Sequence, residues 1–252
     1  MKVLVLNRKL LSRIMYRVLL LLIFAASFAY ASQTAIGTAS IPIKNMVVII
    51  DAGHGGIDSG AVGTAGTLED EINLSIALKL RRLVEQAGGV ALMVREEDMG
   101  LYDANKKSGR KLEDLKNRMK MFKDSNADII ISIHMNFFPQ GQYYGAQTFY
   151  KDGNENSKKL AQYIQSELIS VIDRGNTRVI KPKNDVYVFK GNDVPGALVE
   201  CGFLSNSDEE KLLKEDHYQE RVAWSIFSGM VKYFEGEAKA SATTHKIPET
   251  GK

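Results

Sequence analysis

Apolar and polar positions along this chain follow two periods. Nearly unbroken apolar runs occupy residues 47–50, 90–94, 129–133, 146–150 and 197–199, and a weaker run covers 186–189. Runs of this length, rich in Val and Ile and bounded by Gly, Asn or Asp, predict strands buried on both faces. Between them apolar residues recur at spacings of three and four. Ile72, Ile76, Leu80, Leu83, Val84 and Ala87 define one face of a helix over 71–87, and Leu112, Leu115, Met119 and Phe122 one over 111–125. Leu160, Ile164, Leu168 and Ile172 do the same over 156–172, and Val222, Ile226, Met230 and Phe234 over 217–234. Such stripes are what a helix needs to bury one side against a sheet. The alternation predicts a single α/β domain, a mostly parallel twisted sheet of about six strands with helices on both faces.

The two ends read differently. Lys2, Arg8, Lys9, Arg13 and Arg17 precede an apolar stretch over 18–28, and Ala29-Tyr-Ala31 supplies small residues for a cleavage point. The stretch is shorter than the ~20 residues of a comfortable membrane span. Residues 1–31 are therefore expected to be a signal peptide, with a retained membrane anchor as the alternative. Residues 32–45 read as a linker, 46–235 as the catalytic domain, and 236–252 as a polar tail expected to be disordered. The formal net charge of +3 arises in the first segment, which holds five basic and no acidic residues. The remainder is slightly acidic, so composition argues against a nucleic-acid partner. One cysteine, Cys201, excludes an internal disulfide and reads as a small core hydrophobe.

The candidate chemistry sits at strand ends. Val47-Val-Ile-Ile-Asp-Ala-Gly-His-Gly-Gly56 delivers His54 into a glycine-rich turn, and Asp128-Ile-Ile-Ile-Ser-Ile-His-Met-Asn136 delivers His134. Pro195-Gly-Ala-Leu-Val-Glu-Cys-Gly-Phe203 ends an apolar run in Glu200, and Gly66-Thr-Leu-Glu-Asp-Glu-Ile-Asn-Leu74 opens a helix with acids. The carboxyl edge of a parallel sheet is where open α/β proteins place their sites. Imidazoles and carboxylates gathered there suggest a zinc ion with an acid/base beside it.

In this order these motifs, with Val94-Arg95 and Leu198-Val-Glu-Cys-Gly-Phe-Leu-Ser-Asn206, resemble the zinc-dependent N-acetylmuramoyl-L-alanine amidases of the Amidase_3 family. The resemblance spans about residues 46–234. Tyr144-Gly-Ala-Gln-Thr-Phe-Tyr150 and Asp185-Val-Tyr-Val-Phe-Lys190 are similar to the sporulation, germination-specific branch, the CwlD type. The resemblance implies one zinc ion held by His54, Glu69 and His134, with Glu200 as general base and then acid. Counting back from Ile72-Asn-Leu74 selects Glu69 among three adjacent acids. Asp70 stands where relatives commonly carry lysine, which puts an extra negative charge near the site.

Weaker candidates surround these. Asp51 could orient a ligand histidine or cap the glycine turn, and Asn136 could bind substrate or hold its loop. Arg95 reads as structural. Phe137, Phe138, Tyr143 and Tyr144 could line a sugar groove or pack their own loop. The implied substrate is peptidoglycan, cut between the lactyl group of muramic acid and L-alanine in spore cortex, a step toward muramic-δ-lactam. The expected location is extracytoplasmic, in the cell envelope or spore cortex. An accessory envelope protein and membrane association through an uncleaved signal are further expectations. Two other readings remain open at this point: a zinc peptidase acting on the stem peptide, and a non-catalytic peptidoglycan-binding or activator protein.

Overall fold

The computed structural model describes residues 8–33, 43–173 and 175–244. It divides into two units. In the first, residues 8–33 form one helix, α1 (Arg8–Gln33), with Val18 through Phe24 exposed. No helix among the described residues is long and apolar enough to cross a membrane.

The second unit carries the sheet. Its strands are β1 (Val47–Ala52), β2 (Val90–Met93), β3 (Ile129–Asn136), β4 (Gln147–Tyr150), β5 (Lys181–Pro182) and β6 (Gly196–Phe203), in the order β2-β1-β3-β6-β4-β5. β2, β1, β3 and β6 run parallel, β4 lies antiparallel to β6, and β5 parallel to β4. The helices are α2 (Glu69–Gln86), α3 (Arg110–Asp124), α4 (Glu155–Val171), α5 (Ser207–Lys214) and α6 (Asp216–Thr244).

Side chains alternate across a strand, and that sorts the core into two layers. Val48, Ile50 and Ala52 of β1 point to one face with Ile129, Ile131 and Ile133 of β3 and Ala197, Val199 and Cys201 of β6. Ile76 and Leu80 of α2, Leu160 and Ile164 of α4 and Ile226 and Met230 of α6 cover them. Ile49, Ile130 and Leu198 point the other way, onto Phe122 of α3 and onto Val188 and Phe189. Further along the same strands, that second face presents Asp51, Ser132, His134 and Glu200. The more lightly covered face is thus the chemical one.

Three expectations need correction. Residues 186–189 are not a strand: Tyr187–Phe189 is a 3-10 turn, and the sixth strand is the two-residue β5. A short apolar run reports burial rather than conformation, and Val188 and Phe189 are buried without joining a ladder. The final helix continues through 236–244, where a disordered tail was expected. Glu-Ala-Lys-Ala-Ser-Ala has little to bury but high intrinsic helix propensity, so a helix already nucleated can run on through it. Residues 245–252 lie outside the described residues. Ile43, assigned to the linker, is fully buried in the core, so the domain begins earlier than residue 46. Residues 34–42 of that linker lie outside the described residues.

On α3 the buried row is Asp114, Arg118 and Phe122, whereas Leu112 is exposed. An ion pair spaced i, i+4 occupies positions where periodicity alone expects leucine. α5 has no counterpart in the hydrophobic pattern. It is eight residues long and starts where the Asn206 side chain accepts from the N–H groups of Asp208 and Glu209, 3.0 and 3.1 Å away.

Candidate metal and catalytic site

β1, β3 and the first turn of α2 bring three side chains together. Glu69 Oε1 lies 3.3 Å from His54 Nε2 and 3.0 Å from His134 Nδ1. One ligand atom from each residue falls within 4.8 Å of the other two. The imidazole rings meet nearly edge to face at 5.0 Å. Two imidazole nitrogens and a carboxylate oxygen are the donor set that zinc takes at hydrolytic centres. His54, Glu69 and His134 therefore fit the group expected of them.

Local backbone geometry explains why these positions converge. His54 has φ 62°, the left-handed region that non-glycine residues seldom occupy, and Gly55 and Gly56 follow at φ 122° and 65°. The β1 chain thus reverses at once and presents the imidazole. At Gly53 a Cβ would lie 2.2–2.6 Å from three atoms of the His134 ring, so glycine is what lets the two strand ends come this close. Glu69 is the first residue of α2, where the helix dipole favours a carboxylate. Its Oε2 accepts from Ala61 N–H at 2.8 Å and its Oε1 from Met135 N–H at 3.0 Å.

The electrostatics follow from this crowding. Burial by itself would raise the Glu69 carboxyl, but hydrogen bonds and charge from His134 and His54 outweigh it and hold the group far below the carboxylate range. Burial would lower His54, yet its bonds to Glu69 and Asp58 push it up to about 9. The triad is built around a fixed negative charge.

Asp58 was not foreseen. Its Oδ2 lies 3.0 Å from His54 Nδ1 and 2.8 Å from Lys111 Nζ, so it takes the ligand-orienting place considered for Asp51. The available signal was an acid four residues after His54 in the same turn. Asp51 instead accepts from Arg118 at 2.6 Å and from Ser132 Oγ at 2.7 Å, and makes no hydrogen bond to either histidine. Arg118 also donates to Asp114 at 2.7 Å, to the Ala52 carbonyl at 2.9 Å and to the His54 carbonyl at 2.6 Å. The strained turn is thus pinned from α3, through a residue that hydropathy hides.

Arg95 is structural, as expected. It donates to the carbonyls of Ala52, Gly53, Glu97 and Asp70. Asp70 faces Arg95 and Asp98, and burial followed by the charge of Asp98 raises its carboxyl above the usual value.

Glu200 of β6 sits directly across from His134 of β3 in the parallel register. Its Oε2 is buried without a hydrogen-bond partner. Burial, more than any neighbouring charge, raises its carboxyl above the ordinary range. A carboxyl whose proton is held more firmly than usual is suited to exchanging one with a reacting group. Glu200, His54, His134, Asp51 and Asp58 line one cavity of ≈ 300 Å³, together with Lys111, Arg118, Lys183 and the Val186–Val188 stretch.

Asn136 and the aromatics do not reach that cavity. The Asn136 carbonyl accepts from Leu204 N–H at 2.9 Å, which ties the end of β3 to the chain after β6. Phe137, Phe138, Tyr143 and Tyr144 are exposed, with Phe138 against Tyr143 at 5.2 Å and Tyr143 against Phe203 at 6.3 Å. Their loop packs on itself, and none of the four lines the cavity. Cys201 faces the opposite core layer, fully buried, where burial raises its thiol and leaves it unreactive.

Comparison with known proteins agrees with this geometry. The chain is 37% identical over 217 residues to the germination-specific N-acetylmuramoyl-L-alanine amidase of Bacillus subtilis, covering 85% of this chain and 91% of that protein. It is 31% identical over 198 residues to the amidase LytC of the same organism, covering 77% and 36% respectively. Among solved structures, the CwlD amidase of Clostridioides difficile, in complex with the GerS lipoprotein, is 47% identical with a TM-score of 0.75. That match covers 76% of this chain and all of the other. Residues 48–232 match the Amidase_3 family, described as N-acetylmuramoyl-L-alanine amidase. The chain belongs to that family of hydrolases.

Proposed function

We propose that this protein is a zinc-dependent N-acetylmuramoyl-L-alanine amidase that removes stem peptides from muramic acid in spore cortex, a step toward the muramic-δ-lactam needed for germination. The observation that carries the chemistry is the His54–Glu69–His134 triad beside a half-buried carboxyl on the neighbouring strand whose Oε2 is buried without a hydrogen bond. The cortex setting rests on similarity to the germination-specific relatives.

His54, Glu69 and His134 would hold a zinc ion. When bound, zinc supplies Lewis-acid polarisation of the amide carbonyl and of the attacking water. Glu200 takes the proton from that water as the new C–O bond forms at the lactyl carbonyl. It then returns the proton to the alanine nitrogen as the C–N bond breaks, leaving a lactyl carboxylate on the glycan and a free peptide amine. Its raised affinity for a proton suits both halves of this exchange. Asp58 and Arg118 keep His54 in place throughout.

The protein acts outside the cytoplasm, where its polymer lies, with residues 1–31 serving as the export signal. Because the similar CwlD amidase was captured with a lipoprotein, an accessory envelope protein is part of the proposal. Digestion of peptide-bearing muropeptides with zinc and with chelator, followed by mass spectrometry, tests the reading. Release of intact peptide beginning at L-alanine, abolished by chelator, is expected. Shortened peptides would instead identify a stem-peptide peptidase.

A further inference from the structure

Five carboxylates and three long cationic side chains line the cavity, and most are already committed. Arg118 is shared between Asp51 and Asp114, and Lys111 is paired with Asp58. Glu200 is the half-buried acid assigned to proton transfer, and Asp185 is exposed at the rim. Lys183 is different. It is half-buried, and none of the ion pairs among the described residues includes it.

Its position is nevertheless defined. Lys183 N–H donates to the Tyr150 carbonyl at 2.9 Å, which fixes the backbone just beyond β5. Its ammonium lies 5.0 Å from the centre of the Phe149 ring. Phe149 of β4 is the register partner of Leu198, two residues before Glu200 on β6. Register partners share a face, as do residues two apart, so the ammonium is held over the same face that presents Glu200. The Glu200 carboxyl feels its charge, but no carboxylate among the described residues pairs with it directly, so aromatic support leaves a cation oriented and able to receive an anion.

We propose that Lys183 is a specificity-determining residue that receives the substrate carboxylate next to the scissile amide. The inference rests on the amidase reading and extends it to the leaving peptide. In peptidoglycan the alanine released by the reaction is followed by a γ-linked glutamate, whose α-carboxyl is free in some walls and amidated in others. At about 3.5 Å per extended residue, that group lies on the order of 5–7 Å from the alanine nitrogen. That distance is compatible with a cavity of this size, whose wall carries Lys183. An ammonium favours the carboxylate over the neutral amide because a charge-assisted hydrogen bond is the stronger one.

The test uses the zinc-loaded full chain and two muropeptides that differ only in this group, γ-D-glutamate against its amide. The expected result is roughly a tenfold or greater preference of the native protein for the free acid, expressed mainly in KM. Lys183→Gln should bring the ratio of the two kcat/KM values close to one, while Lys183→Arg restores much of the preference. Thermal melting and zinc content, measured on both variants, separate this change from misfolding. Equal cleavage of the two substrates by the native protein would overturn the proposal, as would a preference that survives in Lys183→Gln. Equal loss on both substrates with a displaced pH profile would make Lys183 a partner of Glu200, and would also overturn it. Failure of the native, zinc-loaded protein to cut either substrate would strike the amidase reading itself.

Discussion

At the scale of single residues the site depends on two unlike constraints, one chemical and one steric. Glu200 supplies a carboxyl that no protein group neutralises through a hydrogen bond on Oε2. Glu200→Gln keeps the shape and removes the proton carrier. Turnover should fall by about 10²–10⁴-fold, the usual share of general acid–base catalysis, with zinc content unchanged. Near-native turnover in a zinc-replete variant would take Glu200 out of the mechanism. Gly53 supplies the steric constraint, because any side chain there displaces the His134 ring. Gly53→Ala should weaken zinc binding at least about tenfold, the scale seen when groups supporting metal ligands are altered. Competition with a zinc-sensitive dye gives the affinity directly, and a native value would show that the ring can move aside without cost.

At the scale of elements, α3 and α5 hold loops that the sheet alone leaves unsupported. α3 acts through Arg118. α5 acts through Glu210, which accepts from Thr64 Oγ1 at 2.5 Å, from Ala65 N–H at 3.0 Å and from Thr67 N–H at 3.3 Å. This clamp fixes the loop that leads into Glu69. Burial would raise the Glu210 carboxyl, but the bonds from Thr64, Thr67 and Ala65 outweigh it and bring it down to about 2. A depressed carboxylate stabilises the fold fully above its ordinary pKa of 4.5, and the contribution fades as pH falls toward 2. Glu210→Gln should therefore cost roughly 1–3 kcal/mol near pH 7, the scale of leaving buried donors poorly satisfied. That difference should shrink as the pH is lowered through 4.5. Urea melts of both proteins across this range check it, and a difference independent of pH would assign the cost to packing instead.

For the whole molecule, metal and fold should be linked, since the ligands arrive from β1, α2 and β3 and meet only after the sheet has formed. A ligand that binds the native state alone stabilises by about 2.7 kcal/mol at a hundredfold excess over Kd. Added zinc should raise the melting temperature by several degrees, and chelator should reverse the gain. The same titration on a His54→Ala, His134→Ala double variant should show no shift. A shift that persisted there would place the ion elsewhere.

What the sequence determined by itself was whatever depends on neighbours along the chain. The four parallel strands, four of the five helices of the sheet unit and the strand-end positions of His54, His134 and Glu200 all follow from local period and local breakers. So did the order of motifs that identifies the family. What only the tertiary structure decided involves partners far apart in sequence. Asp58, Lys111 and Arg118 gain meaning when α3 lies over the turn after β1. A buried ion pair on a helix reads as surface until its partner strand is in place. The Val188–Phe189 run shows burial in the sequence, but whether it joins a ladder depends on the edge that β4 and β5 present. Lys183 is one polar residue among many along the chain. It becomes an oriented cation only when β4, β5 and β6 place it on the Glu200 face, because electrostatic interaction depends on distance in space and hydropathy is read along the chain.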